Sequence, residues 1–324
     1  MDKRNLSSYL INTAAAVVIY LLISALISGG IITRQYQGVL VFACVNCILA
    51  VSLNLTTGFL GELALGHAGF MSIGAYTGAL ITKAGVVEGV PGLLLGMLAG
   101  GLVAVVFAML IGIPVLRLKG DYLAIVTLGF GEIIRVLIEA VPFTGGAKGL
   151  TGIPRLTDFT MAYWVMVVVI VVLFAFIRSR HGRAAIAISQ DDIASEASGI
   201  NNTYYKILVF GIAAFFAGVA GCLYGNYMGI LGASSFNFAK SIDILVIVVL
   251  GGMGSFTGSI VAAFGLTILP EVLRGFAEYR MLIYSVALIM MMLFRPSGLM
   301  GGYEFSLSRV IRKFIPGKRK EEAK

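Results

Sequence analysis

The sequence predicts an all-α, polytopic integral membrane protein with roughly eight to ten transmembrane helices, some of them broken or re-entrant. Three observations carry that expectation. The 324 residues are 59% hydrophobic and only 12% charged, against roughly 45–50% and about 25% in soluble domains. Mean hydropathy is +0.97, because long apolar runs recur from end to end. The 41 glycines suit helices that must approach closely in lipid, where small residues form the contacts. So little charge cannot coat a water-exposed globule of this size. An ordinary soluble enzyme, a disordered chain and a nucleic-acid-binding domain are thereby excluded. The net charge of +8, suggestive of nucleic acid in a soluble chain, becomes information about orientation.

The elements follow in order. Met1-Asp2-Lys3-Arg4 precedes an apolar stretch from about Tyr9 to Ile32. It is too long for a signal-peptide core and lacks an obvious small-residue cleavage site, so it reads as a retained first span. Further spans fall near 36–55, 62–82, 92–115, 120–140, 161–177, 204–229, 240–254, 256–273 and 280–295. About 20 apolar residues cross a bilayer as a helix, which satisfies its own backbone groups there. The run from Tyr163 to Ile177 is continuous and rich in Val and Ile. Others are interrupted by glycine, at Thr57-Gly58-Phe59-Leu60-Gly61 and at Gly251-Gly252-Met253-Gly254-Ser255. The 240–254 stretch is short enough to suggest a re-entrant or bent segment. The chain thus reads as a single transmembrane domain over 1–324, with a basic tail over 296–324.

Charge sets the topology. With an inner N-terminus and ten crossings, one side collects Lys3, Arg4, Arg117, Lys119, Arg178, Arg180, Arg183, Lys206, Arg295 and the tail from Arg309 to Lys324. The other side holds Arg34, Lys83, Lys148, Arg155, Lys240, Arg274 and Arg280, while Arg135 falls inside a span. Lys and Arg accumulate on cytoplasmic loops, so both termini are expected in the cytoplasm. The tail reads as an anchor attracted to anionic lipid.

Enzymatic signatures are missing. There is no G-x-x-x-x-G-K-[ST] loop, and Gly145-Gly146-Ala147-Lys148-Gly149 has its lysine in the wrong place, so ATP is not bound by that route. No H-E-x-x-H, G-x-S-x-G or Cys/His metal spacing occurs, and no cofactor or metal is expected. Cys44 and Cys47 form a C-x-x-C inside an apolar run without a βαβ pattern, which reads as helix packing. His67 and His181 are too few for a zinc cluster.

The longest polar interruption before the tail spans 179–202. It opens on Arg178, Arg180 and Arg183, which makes it cytoplasmic. Asp191 and Asp192 precede a helix-favouring run containing Glu196. Asp is a good N-cap, acids suit a helix start, and Gly199 can end the helix. The segment predicts a short helix outside the membrane between two spans, either a solvated loop or a docking element for a cytoplasmic partner.

Polar groups within the spans are candidates for a wet path: Asn46, Asn54, Glu62, His67, Glu132, Arg135, Asn226 and Asp243. Glu132 and Arg135 share a helix face at i, i+3 and read as a structural pair. His67, beside Gly66 and Gly69, reads as a packing and hydrogen-bonding residue. Tyr36, Tyr163, Trp164 and Tyr279 lie near expected outer boundaries, as in an interfacial belt. The glycine-rich stretches near 56–78 and 250–265 are alike in texture, and paired helix breaks can mark a transporter's substrate site.

Several ordered blocks resemble one family. Thr57-Gly58 through Gly66-His67-Ala68-Gly69-Phe70, then Gly74-Ala75-Tyr76, is similar to its T/S-G-x-x-S-x-G-H-A-x-F-x-x-I-G-A-Y block, with Ala64 where Ser is frequent. Gly120-Asp121-Tyr122-Leu123-Ala124-Ile125-Val126-Thr127-Leu128 with Gly131-Glu132-Ile133 resembles its G-x-Y-x-A-I-x-T-L…E-I segment. Thr144-Gly145-Gly146 with Gly149-Leu150 fits its outer loop. Gly182-Arg183-Ala184, Asp191 and Ala197-Ser198-Gly199-Ile200 fit its coupling loop. Phe215-Phe216-Ala217-Gly218, Leu250-Gly251-Gly252-Met253-Gly254-Ser255 and Arg295-Pro296-Ser297-Gly298-Leu299 complete the set. The family is the inner-membrane permease subunits of branched-chain amino acid ABC importers, of the LivM type.

The resemblance implies a non-enzymatic subunit that pairs with a second, homologous permease to line a path for an amino acid. Two ATP-binding subunits dock on its cytoplasmic face, and an extracytoplasmic binding protein delivers substrate. It points to Arg183, Asp191, Asp192, Glu196 and Gly199 for coupling to the ATPase. The segment Glu196-Ala197-Ser198-Gly199 is more compact than the E-A-A-x-x-x-G form of other ABC importers. The residues alone also allow a permease for urea, short amides or sugars, or an ion-coupled secondary transporter acting through Glu62 or Asp243.

Overall fold

The computed structural model describes residues 3–301 apart from 31, 117, 119, 277, 278, 296 and 297. The basic tail from 302 onward, Arg117 and Lys119 therefore lie outside the described residues.

The helices are α1 Lys3–Ser28, α2 Arg34–Asn54, α3 His67–Ala84, α4 Gly89–Val115, α5 Asp121–Ala140, α6 Phe159–Arg178, α7 Arg180–Gln190, α8 Asp192–Ala197, α9 Asn202–Met228, α10 Phe238–Gly251, α11 Phe256–Val272 and α12 Arg280–Phe294. A two-residue antiparallel pairing of β1 Leu150–Thr151 with β2 Ile230–Leu231 ties two loops together. Among the described residues six helices are long and apolar enough to cross a membrane, within 34–59, 89–115, 159–178, 202–228, 233–251 and 256–275. The all-α polytopic class is thus what the sequence required.

Helices α3, α4 and α9 pack tightest, and glycine makes this possible. A methyl group at Gly74 would run into the backbone of Gly218, and one at Gly221 into that of Met71. Gly100 sits against both Gly74 and Gly218. Three backbones meet where side chains would normally hold them apart, the small-residue packing of membrane helices. Helix α2 is apolar over much of its middle and buried from Cys47 to Asn54, as a central helix should be. The outer face of α4, with Leu94, Leu98, Leu102, Val106 and Leu110 exposed, is wholly apolar and suits lipid.

Contacts sort the loops into two ends. One end gathers the α2–α3 break, the α7–α8 element and the α10–α11 turn. There the backbone after α12 returns, with Leu299 N donating to Leu250 O at 2.7 Å. The opposite end holds the strand pair and the Gln35–Glu271 hydrogen bond. Arg178, Arg180, Arg183 and Lys206 belong to the first end and Arg34, Lys83 and Arg155 to the second, as expected from charge, whereas Lys240, expected with the second, reaches Asn46 partway along α2.

Three elements differ from the sequence expectation. The span expected at 62–82 begins only at His67. A π-helical turn over Leu55–Phe59 ends α2, and Leu60–Gly66 is irregular. Gly61 takes φ +78°, and Gly66 presses its backbone against the Thr127 carbonyl. Glu62 therefore sits in a helix break, not in a span. The second difference is α10, which has 14 residues, about 21 Å of helix at 1.5 Å per residue. Its first turn meets the start of α3, where Ala68 N donates to Ser241 Oγ at 3.1 Å. The segment expected to be re-entrant or bent over 240–254 is a regular helix to Gly251, preceded by a 3-10 turn over Ala233–Phe236. The third is α7, which sequence treats as loop. Its charges mask the apolar positions Ala185 and Ile188 that it buries.

Candidate functional site

The α7–α8 element is built by caps. Ser179 Oγ accepts from Gly182 N at 3.3 Å and starts α7. Asp191 Oδ1 accepts from Ile193 N and Ala194 N, both at 2.9 Å, and starts α8. Two backbone donors on one carboxylate is what an N-cap supplies. Gly199 ends the turn at φ +85°. Asn202, the first residue of α9, then latches α8: its amide donates to the Asp192 carbonyl at 2.6 Å and to Asp192 Oδ1 at 2.8 Å. Ser195 Oγ donates to Asn202 Oδ1 at 3.0 Å. Arg183, Asp191, Ile193, Glu196 and Gly199 remain exposed, so α8 presents an outward face while its inner side is fastened. Arg183 donates to the Arg178 carbonyl at 3.0 Å.

Beneath this element lies a residue that sequence reasoning counted only as one more positive charge. Lys206 is 7% exposed. Its Nζ is 2.7 Å from Glu62 Oε1 and 3.3 Å from Asp192 Oδ1. A buried ammonium needs such partners, because an unpaired charge out of water is costly. A cleft of about 590 Å³ opens beside it, lined among others by Leu116, Asp192, Glu196, Asn202 and Lys206. A lysine one turn into an apolar helix and a lone glutamate in a glycine break were the available signals, but nothing in sequence pairs positions 62 and 206.

The polar residues at membrane depth fall into two groups. Asn54 is fully buried. It donates to Ser255 O at 2.9 Å and Ser259 Oγ at 2.8 Å, and accepts from Gly254 N at 2.9 Å. It therefore joins the two glycine-rich breaks, which the sequence linked only by texture. His67 Nε2 lies 2.9 Å from Ser52 Oγ. Asn226 donates to the Cys222 carbonyl at 3.0 Å. Asn46 donates to Thr267 Oγ1 at 3.0 Å and accepts from Lys240 Nζ at 3.2 Å. These side chains bind within the chain. Tyr163, expected in an interfacial belt, is likewise buried and donates to Ala16 O at 2.9 Å. Cys44 and Cys47 are buried free thiols on α2.

The second group faces outward. Arg135 is 2.7 Å from Glu132 Oε2 and 3.1 Å from Glu139 Oε2, with the three side chains 24%, 30% and 43% exposed. Glu132 lies about 17 Å along α5, near its middle. Across a small crevice from it stand Asn237, Phe238 and Ser241 at the start of α10. Asp243 is exposed as well, two residues beyond Ser241 and so on a different face of α10. Half-exposed ion pairs at this depth do not suit lipid; such groups face a bundle interior or a wet cavity.

Known proteins give this architecture a context. Residues 35–294 match the family described as branched-chain amino acid transport system / permease component. The chain is 36% identical over 315 residues to the high-affinity branched-chain amino acid transport system permease protein LivM of Salmonella typhimurium, covering 86% of this chain and 73% of that protein. It is 36% identical over 318 residues to LivM of Escherichia coli, covering 87% and 74%. It is also 25% identical over 279 residues to the permease protein LivH of Escherichia coli, covering 78% and 90%. No solved structure matches it.

Proposed function

Because the chain belongs to the permease family of branched-chain amino acid transport systems, we propose that it is the membrane-spanning subunit of an ABC importer that moves such amino acids across the bacterial cytoplasmic membrane. The single observation that carries this reading is the capped α7–α8 element held between two spanning helices, in a chain that lacks a nucleotide-binding loop. A permease without ATP chemistry needs a motor, and a rigid element fastened to α9 can receive force from one. Two ATP-binding subunits dock on the cytoplasmic face of the permease pair, one of them on the exposed face of α8 in this chain, at Asp191, Glu196 and Gly199, with Arg183 and Asp192 holding the element in shape. That end of the molecule is cytoplasmic, as are both termini, which the gathering of arginines supports.

A second, homologous permease completes the path. The face of α5 and the start of α10 supply this chain's half, with Glu132 and Asn237 along it and Asp243 exposed on an adjoining face of α10. Its charges need water or a partner, whereas the apolar face of α4 needs neither. Asn54, His67 and Asn226 act one layer back, holding the helices that carry the path. An extracytoplasmic binding protein delivers the amino acid at the opposite end. Alternating access is then a population shift between inward- and outward-open forms. The ATPases must bind the two forms unequally, since equal binding shifts nothing. The Glu62 carboxylate is ion-paired with Lys206, which argues against its service as a free proton carrier.

The test is uptake of a labelled branched-chain amino acid into proteoliposomes holding this chain, its partner permease, the ATPases and binding protein. Uptake is expected only with ATP inside. Uphill uptake by the purified chain alone, under an ion gradient and without ATPases, would overturn the reading.

A further inference from the structure

Two helices at the proposed docking end are not in direct register with the path, yet a continuous set of contacts runs between them. Asp192 opens α8. Its carboxylate meets Lys206 at 3.3 Å, and Lys206 meets Glu62 at 2.7 Å. Glu62 belongs to the irregular segment over 60–66. That segment is wedged between two elements. On one flank a β-carbon at Gly61 would lie 3.2 Å from the Ser189 β-carbon, on the last turn of α7. On the other, Leu65 N donates to Thr127 Oγ1 of α5 at 3.0 Å, and Gly66 abuts the Thr127 carbonyl. One helical turn beyond Thr127, Gly131 sits against Gly66 and Gly69, next to Glu132.

We propose that Lys206 is a positioning residue for transport: it pins the docking helix α8 to the broken segment 60–66, so that displacement of α8 by the ATPases is passed to α5 and the path. Lys206 touches neither substrate nor nucleotide. The chemistry favours this role over simple stabilisation in two respects. First, the Glu62 backbone is tied to the π-helical turn, its N–H donating to Thr56 O at 3.0 Å, whereas its carboxylate is aimed across to α9 by Lys206 at 2.7 Å, so the link between the break and α9 runs through that ion pair. Second, the cleft of about 590 Å³ beside Lys206 and under α8 leaves room for the helix to move. A pin between two separate elements passes a displacement from one to the other; the same pair within one packed helix bundle would only add stability.

The inference rests on the reading of α8 as the ATPase docking element, and the experiment keeps the two separable. The complete complex would be purified with Lys206→Met, Lys206→Arg, and the double variant Lys206→Met with Glu62→Gln. The double variant leaves no carboxylate of the break unpaired in the interior, so it guards against misfolding of the single one. Three quantities are read: ATPase recovered with the permease, ATP hydrolysed, and amino acid transported per ATP. The expected result is full recovery of ATPase and continued hydrolysis, with transport per ATP falling about tenfold in both methionine variants, a loss in the range of typical coupling energies. Lys206→Arg, which keeps the charge, is expected to restore most of the ratio. Unchanged transport per ATP in the double variant would overturn the pin. So would a parallel fall of recovery, hydrolysis and uptake in every variant, which marks a purely structural residue. Failure of the unmodified chain to bring down the ATPases would instead overturn the docking reading.

Discussion

Asn54 shows what a single side chain contributes here. Its amide makes three hydrogen bonds at a site closed to water, to Ser255, Ser259 and Gly254. Removing it leaves the Gly254 N–H without that partner, a cost of about 1–3 kcal/mol for a group left unsatisfied, while the Ser255 carbonyl keeps its bonds from Ser259. Asn54→Ala is therefore expected to lower the thermal midpoint of the detergent-purified chain and to loosen the Gly254–Ser255 turn. Hydrogen exchange at 252–256 checks it, and unchanged protection there would reject the account. Sequence placed Asn54 among the path candidates because a buried amide and a wet one look alike along a chain. The Glu132–Arg135 pair was legible, since i, i+3 spacing alone brings those side chains together. The Glu62–Lys206 pair was not, because its partners are separated by most of the fold.

Elements carry the next level of consequence. Helix α8 has six residues, too few to persist unaided. It depends on the Asp191 cap and the Asn202 latch. Asp191→Ala removes a cap that contributes about 1 kcal/mol. Faster amide exchange over 192–198 is expected, with less ATPase recovered on purification. Glu196→Lys and Gly199→Pro should also reduce recovery while leaving membrane insertion intact. Normal recovery with both would remove α8 from the docking role. The packing of α3 against α9 is less forgiving. Gly74→Leu places a branched side chain where the backbones of Gly218 and Gly100 already touch. Little folded protein is expected, read as the monodisperse fraction in size-exclusion chromatography. The short helix at 192–197 was legible from Asp191 and Gly199. Helix α7 was not, because two buried apolar positions among charges give too faint a period.

At the scale of the molecule, the distribution of polarity separates the surface that meets lipid from the surface that does not. Cysteine introduced at Asp243 should react with a membrane-impermeant maleimide in at least one nucleotide state of the complex. Cysteine introduced at Leu102 on the α4 face should not. The native thiols Cys44, Cys47 and Cys222 are buried and leave little background. Equal labelling at both positions would argue that α5 and α10 do not border water.

The sequence by itself determined the class of the molecule and the order of its apolar helices, and its charges divide between two ends. Those features follow from solvent: apolar length, helical backbone satisfaction and the placement of arginine and lysine are each local properties. The helix breaks could be read too, because glycine disrupts a helix wherever it clusters. Only the tertiary structure decided which polar groups are neighbours. Asn54 meeting the second break, Lys206 reaching Glu62, and Glu132 left on an open face all depend on how helices far apart in the chain pack. A glycine run announces that two backbones can touch, but the partner that accepts the contact is chosen by the whole bundle.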